Sequence, residues 1–330
     1  MIRRHSRIGL ITFVTVAMSI LVDHCYNPAT HYQYSVSNAL NYYGFGSNRQ
    51  KNAIQNLLQR SSVIPADKTL EQAFPPRATK RELSADISKM INKMAKNFLV
   101  DDPISSPSNA ESLEWMNRDH DLNLSDLRDL GFVDQVKPTE ESIDVLCILG
   151  EAPRVVNVMK YANALIESGL KTKKIIVLAS ERRVKVGLDG SEEELTQIAH
   201  RFNLRDWTAL KERELVTELY NRSLLYSNDH IPRATIYTLE DFAKWLKHND
   251  EIQSIIFVSS QPYVTYHRRT FDHAFEGSSI KYQVVGCELQ DTENLEQGLG
   301  ALALYMLGAA GYVVSDMELD AWNKPTTKHP

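Results

Sequence analysis

This chain predicts an α/β protein: a Rossmann-like, doubly wound, mostly parallel five-stranded sheet preceded by a helical N-terminal extension. Three observations carry the prediction. The first is the run at residues 143–150, Ile-Asp-Val-Leu-Cys-Ile-Leu-Gly, almost continuously apolar, rich in β-branched residues and closed by a glycine. A strand covered by helices on both faces has no reason to alternate polar with apolar residues, so this run reads as a central strand of a parallel sheet. The second is that further strand-like runs follow at 174–180, 234–237, 254–260 and 281–287, with amphipathic stretches between them. Parallel strands need crossovers of that kind, and right-handed crossovers make a doubly wound sheet the economical solution. The third is the absence of strand signals between about residues 23 and 100, where apolar residues recur at helical spacing.

Taken in order, the chain opens with Arg3, Arg4 and Arg7 ahead of an apolar segment at 8–22. Charge followed by an apolar run is the order of a secretory signal or a membrane anchor. The run is shorter than the roughly 20 residues of a full span, and Ala17-Met18-Ser19 would suit cleavage, so cleaved leader and retained anchor both stand. Ala53, Ile54, Leu57 and Leu58 mark one helix of the extension. A second is expected at 79–98, with Leu83, Ile87, Met90, Ile91, Met94 and Phe98 on one face. Residues 101–109, with Pro103 and Pro107, read as a linker, and short helical pieces at 110–116 and 125–130 lead to Pro138. The expected organisation is a leader or anchor at 1–25, a helical extension with linker at 26–138, and the α/β domain at 139–330.

Within that domain a helix is expected at 154–168, stopped by Gly169. Ser191 with Glu194 reads as a capping box for the next helix, and 204–228 as a long, highly charged helical stretch. Thr238 is placed to cap a helix at 239–247. A helix at 294–307 and a short apolar piece at 312–314 are expected to close the chain.

The net charge of -5, with Lys and Arg dispersed among 42 acidic residues, argues against a nucleic-acid partner. Three cysteines do not make a disulfide framework. Cys147 and Cys287 fall inside expected strands, where a thiol behaves as a small hydrophobe, and a bridge would require those strands to be neighbours. The sequence has no G-x-G-x-x-G after the first strand, no P-loop, no G-x-S-x-G, no H-E-x-x-H and no Cys-x-x-Cys pair, and its histidines are scattered. No metal is expected.

Sites of open α/β sheets lie beyond the carboxyl ends of the strands. The polar residues there are Gly150, Glu151 and Arg154 after the first strand, and Ser180 after the second, followed by Arg182 and Arg183. Thr238, Glu240 and Asp241 follow the third, Ser259, Ser260, Gln261, Tyr263, Tyr266, His267, Arg268 and Arg269 the fourth, and Glu288, Gln290, Asp291 and Asn294 the fifth. Arginines and hydroxyls near helix N-termini suit an anionic ligand. Gly150, Arg154, Ser180, Thr238, Ser259, Ser260, Tyr263 and Arg268 are therefore the candidate ligand contacts, and Glu151 and Glu240 the candidate acid or base. Each has a plainer reading: Thr238 with Glu240 and Asp241 as a helix cap with acidic first-turn residues, Arg182 and Arg183 as a solvated loop, and residues 267–269 as the outer face of a helix buried through Phe271 and Phe275.

These residues resemble the YdcF-like (ElyC/SanA/YdcF) family of bacterial envelope-associated proteins over about residues 143–288. Leu149-Gly150-Glu151 is similar to the family's Leu-Gly-Gly strand end, and Arg154 to the Arg that opens its next helix. Thr238-Leu239-Glu240-Asp241 resembles its T-x-E-N helix start, and Ser259-Ser260-Gln261-Pro262-Tyr263 with Arg268 its strand followed by Thr-Ser, tyrosine, histidine and arginine. Departures are Ser180-Glu181 in place of a Gly-Gly, Asp241 in place of the Asn, and Tyr263 or Val264 at the histidine position. The resemblance implies a Rossmann-like domain, often tethered to the membrane, with a cell-envelope role.

The expected protein is thus membrane-anchored or exported, with its domain outside the cytoplasm of a bacterial cell. It would bind a small anionic or nucleotide-like ligand, with a nucleotide or S-adenosylmethionine as the cofactor class to test. Two alternatives accompany this: a non-catalytic interaction protein on a decayed enzyme fold, whose helical extension docks a protein partner, and a nucleotide-donor transferase at the membrane. The transferase would need an acidic pair such as Glu240 with Asp241.

Overall fold

The computed structural model describes residues 35–97, 115–150 and 154–289, except 43, 78, 188, 228, 229 and 276. These residues form two compact units, one of residues 134–288 and the other of 35–133 with Leu289. The leader, the expected linker at 101–109 and the expected C-terminal helix lie outside the described residues.

The helical unit contains α1 (Val36–Tyr42), α2 (Asn48–Arg60), α3 (Leu70–Ala73), α4 (Lys80–Asn97) and α5 (His120–Asp129). Capping boxes of Ser47 with Gln50 and of Thr69 with Gln72 start α2 and α3 by satisfying backbone N–H groups that have no partner within the helix. Helix α2 buries Ala53, Ile54, Leu57 and Leu58, as its spacing predicts. On α4, Leu83, Ile87 and Met90 are buried; the side chains of Ile91, Met94 and Phe98 lie outside the described residues. Arg60 ties α2 to α5 through an ion pair with Asp126 and a 2.7 Å hydrogen bond from Nε to Asn123 Oδ1.

The second unit runs β1 (Ser142–Gly150), α6 (Val155–Glu167), β2 (Lys171–Ala179), α7 (Glu192–Arg201), a 3-10 turn (Trp207–Ala209), α8 (Glu212–Asn221), α9 (Leu224–Ser227), β3 (Thr235–Tyr237), α10 (Leu239–Lys247), β4 (Ser254–Ser260), α11 (Val264–Ala274) and β5 (Lys281–Cys287). The sheet order is β3-β2-β1-β4-β5, and every neighbouring pair is parallel. The expected α/β fold is therefore present, with all five strands parallel.

Alternate strand residues serve opposite layers. Leu146, Ile148, Ile175, Val177, Ile256 and Val258 pack with Val155, Val158, Met159, Ala162 and Leu165 of α6 and with Val216 and Tyr220 of α8. Val145, Cys147, Ile176, Leu178, Ile255 and Phe257 pack with Phe242 of α10 and with Val264 and Phe271 of α11. Each large apolar side chain fully buried in this way contributes about 1.5–3 kcal/mol. Phe257 is stacked on Phe271 with centroids 3.8 Å apart.

At the amino ends of the strands, Asp144 sets the β1–β4 register. Its Oδ2 accepts from the backbone N–H groups of Gln253 and Ser254 at 2.8 and 3.0 Å, and its Oδ1 meets Lys173 Nζ at 2.8 Å. Those interactions, the Lys173 bond first, hold the Asp144 carboxyl down to about 2. Cys147 and Cys287 are both free thiols on strands separated by β4, so the neighbouring strands a bridge would require do not occur.

Two expectations differ from the structure. Strand β2 begins at Lys171 rather than 174, because Ser142 and Ile143 pair with Lys171 and Thr172; a parallel ladder is made by backbone groups and tolerates charged side chains at the sheet margin. The helical stretch expected over 204–228 is divided into the 3-10 turn, α8 and α9. Asp206 accepts from Thr208 N at 2.9 Å, offering the backbone a turn in place of a helix, and Val184 N donates to Leu210 O at 3.1 Å, holding that residue extended.

Among the described residues no helix is long and apolar enough to cross a membrane. The membrane-spanning helix expected from the sequence would fall at residues 8–22, which are not among them.

Candidate functional site

In this strand order the crossovers change direction between β1 and β4, which are neighbours although two strands separate them in the chain. Helix α6 leaves β1 toward one face and α11 leaves β4 toward the other. A parallel sheet opens a crevice at such a point, outside the carboxyl ends of the two strands. The residues at those two strand ends are Gly150 and Arg154 after β1, and Ser259 to Tyr263 at the end of β4.

Arg154 and Tyr263 meet there. Arg154 Nη2 donates to Tyr263 Oη at 3.1 Å, and the guanidinium carbon lies 4.2 Å from the tyrosine ring centroid. Arg154 is the N-cap of α6 and Tyr263 directly precedes α11, so their contact brings two helix N-termini together. Neither helix has an acidic residue in its first turn, and no side chain caps α6. An arginine where Ser, Thr, Asp or Asn would normally satisfy the free N–H groups adds to the positive helix end instead of offsetting it.

The other helices that follow a strand are neutralised from within. Ser191 accepts from Glu194 N at the start of α7, whose first turn holds Glu192, Glu193 and Glu194. Thr238 caps α10 by accepting from Asp241 N at 3.0 Å, with Glu240 and Asp241 in that turn. The plain cap reading of Thr238 thus describes its contact. Glu240 is exposed and paired with Lys244 at 2.7 Å, one turn along the same helix. Both sit at the end of edge strand β3, two strands from β1, or roughly 10 Å across the sheet.

Ser180, at the end of β2, is engaged differently. Its hydroxyl bonds to Glu212, and Glu212 in turn pairs with Arg182 at 2.6 Å. Arg182 also grips both oxygens of Asp189 at 2.7 Å, and that carboxylate has 0% side-chain exposure. The group latches the loop after β2 onto the start of α8. Arg268 is exposed on α11, and its charge is felt by Tyr282, which pairs with Ile255 near the amino ends of the strands. Glu151 lies outside the described residues, with Ala152 and Pro153.

Gly150 permits a close approach at the end of β1: a Cβ there would stand 2.4 Å from the carbonyl oxygen of Leu178 and 3.2 Å from Val216 Cγ1. Ser259 is 2% exposed, and its Oγ lies 2.8 Å from His267 Nδ1. Ser260 ends β4 beside Cys287, and its carbonyl accepts from Tyr263 N at 2.9 Å. Gln261 is 2% exposed; its Nε2 donates to Asp134 O at 2.7 Å, while its Oε1 has no partner among the described residues.

His267 and Gln261 stand among the polar residues behind the fourth strand in the sequence but not among the candidate ligand contacts. For His267 a signal exists: Tyr263, His267 and Phe271 follow at four-residue spacing, which puts the histidine on the buried side of its helix rather than beside Arg268 on the outer one. Burial, and after it the charge of Arg154, pushes the imidazole down to about 4, although the residue keeps partial solvent exposure. It is neutral at neutral pH.

The structure thus brings Gly150, Arg154, Ser259, Ser260 and Tyr263 to the neighbouring carboxyl ends of β1 and β4 and leaves Ser180, Thr238, Glu240 and Arg268 in other settings. Among the described residues no group of three or more His, Cys, Asp or Glu is placed to hold a metal ion. Compared with protein-family models, curated proteins and solved structures, the chain matches none.

Proposed function

We propose that this protein binds a small anionic or nucleotide-like ligand in the crevice between the carboxyl ends of β1 and β4, as a YdcF-like envelope protein held at or exported across the bacterial membrane by its apolar leader. The single observation that carries the anion reading is Arg154 laid across Tyr263 where two helix N-termini with no acidic residue in their first turns meet. Backbone N–H groups at a helix start, an arginine beside them and a largely covered tyrosine ring make a favourable surrounding for negative charge. The envelope setting rests on the sequence resemblance and on the charge-then-apolar order of residues 3–22.

The reading is one of binding rather than of a defined reaction. Glu240 is solvated and paired, and the neutral His267 is a weak base. The alternative of a non-catalytic interaction protein gains from the same facts, since Thr238 and Ser180 are committed to a helix cap and a loop latch.

The test is thermal denaturation of the full chain in mild detergent against sulfate, phosphate, nucleotides and S-adenosylmethionine. A ligand at a hundred times its dissociation constant should add about 2.7 kcal/mol of stability. Arg154→Ala should abolish the shift and Arg268→Ala should keep it. A shift that survives Arg154→Ala unchanged overturns the site, and no shift with any anion in folded protein favours the interaction protein.

A further inference from the structure

The chain between β2 and β3 departs from a plain crossover. Residues 182–184 and 210–212 run antiparallel: Val184 N donates to Leu210 O at 3.1 Å, Glu212 N donates to Arg182 O at 2.8 Å, and Arg183 stands opposite Lys211 between them. The chain therefore leaves the sheet and rejoins it through a two-stranded neck, and ends held together in this way are what let a lobe be inserted into a domain. The part beyond the neck has a core of its own. Val184, Leu195, Ile198, Ala199 and Leu210 are buried there with Leu215 of α8. Among the described residues this cluster contains none from the five strands. The lobe rests on α8, whose Leu215 it buries, whose Leu219 packs against both cores, and whose Glu218 pairs with Arg201 of α7.

A charge clasp fastens the neck. Arg182, on the outgoing side, donates to both oxygens of Asp189 at 2.7 Å and to Glu212 at 2.6 Å on the returning side. Both carboxylates are buried, so one guanidinium serves two of them. A slight separation would leave a carboxylate buried away from that cation, which costs more than the fastened state or a fully hydrated one. The neck therefore has two favoured conditions, fastened or open to water, rather than a continuous range between them. The apolar holding is small as well. Among the described residues six buried apolar side chains make the lobe core, against twenty in the core that the sheet shares with α6 and α8. Local opening costs least where buried apolar contacts are fewest, which sets the lobe below the sheet in stability.

We propose that residues 182–187 and 189–211 form a hinged lobe that opens as one cooperative unit while the sheet stays folded, with the neck as its hinge and the Arg182 clasp as its catch. The lobe rises from the carboxyl end of β2, where Ala179 pairs with Gly150 at the end of β1, so it moves on the side of the sheet that carries the strand ends. Its opening does not depend on which ligand, if any, is bound there.

Hydrogen exchange of the full-length protein, read peptide by peptide in mild detergent, tests this. Where reclosing outpaces exchange, the amides of α7 should exchange together, and at least about tenfold faster than those of β1 and β4 once each is scaled to its unfolded-chain rate. That reading needs no variant. Arg182→Gln should speed α7 by roughly a further tenfold or more and leave β1 and β4 unchanged, because it removes the cation from two buried carboxylates. Leu195→Ala, inside the lobe core, should act on the same amides without touching the clasp. Amides of α7 that exchange no faster than those of β1 in the wild type, or variants that speed the strands as much as α7, overturn the lobe, since it would then open only with the sheet. An α7 that responds to Leu195→Ala and not to Arg182→Gln overturns the clasp as its catch.

Discussion

Replacing Asp144 with Asn removes a charge from the β1–β4 register lock while leaving its shape almost unchanged. In the native protein the carboxylate receives Lys173 Nζ at 2.8 Å, the backbone N–H groups of Gln253 and Ser254 at 2.8 and 3.0 Å, and Ser254 Oγ at 3.1 Å. These donors favour the charged form and outweigh the cost of a site only 9% exposed, bringing the group from 3.8 to about 2. The folded pKa is thus below the unfolded one. Ionisation therefore stabilises the native state fully above the unfolded value, and that contribution is lost as pH falls from about 5 through about 2. Each pKa unit is worth about 1.4 kcal/mol, which gives about 2 kcal/mol as an upper figure; Lys173 is 80% exposed, so salt screens its share. Urea melts of wild type and Asp144→Asn at neutral pH should differ by up to about 2 kcal/mol, or about 4–8 °C in a thermal melt of a unit this size. The gap should narrow steadily as pH is lowered toward about 2. A gap of the same size at acid pH, or none at neutral pH, would refute the account, because other carboxylates titrate equally in both proteins and cancel in the difference.

Two further substitutions test how the sheet is built around the crevice. Gly150→Ala would drive a methyl group against the Leu178 carbonyl, 2.4 Å away, and should cost about 1–3 kcal/mol in a urea melt; a wild-type midpoint would mean that the strand end is looser than described. Phe257→Ala removes a 0% exposed ring stacked on Phe271 and should cost about 3–5 kcal/mol by the same assay, whereas a loss under 1 kcal/mol would contradict the packing of that face.

The fold was legible where side-chain pattern and backbone need coincide. Residues 143–150, 255–258 and 284–286 are apolar because they are buried in the sheet, and their pairing agrees with the pattern. The pattern fell short where the backbone alone decides. Lys171, Thr172 and Lys173 look like loop residues, yet they extend β2 because β1 has unpaired groups opposite them. The highly charged stretch at 204–228 has helical composition throughout, and it is divided by a side-chain turn at Asp206 and by a contact between Val184 and Leu210, which only the folded chain brings together.

For the site the limit was strand order. Five strand ends with polar residues behind them look alike in one dimension, and four of them supplied candidates. Some could be discounted locally: Thr238 capping Asp241 and Glu240 pairing with Lys244 lie within one helical turn, so the sequence itself already offered the cap reading. Ser180 could not, since its partner Glu212 lies 32 residues away. What separates β1 and β4 from the rest is that the order β3-β2-β1-β4-β5 makes them neighbours and sends their helices to opposite faces. The two helix starts that this brings together are also the two with no acidic residue in the first turn, and the arginine and tyrosine beside them touch. Chain topology and the lack of acidic first-turn residues therefore point, independently, to the same pair of strand ends. An anion is the simplest ligand that would answer both.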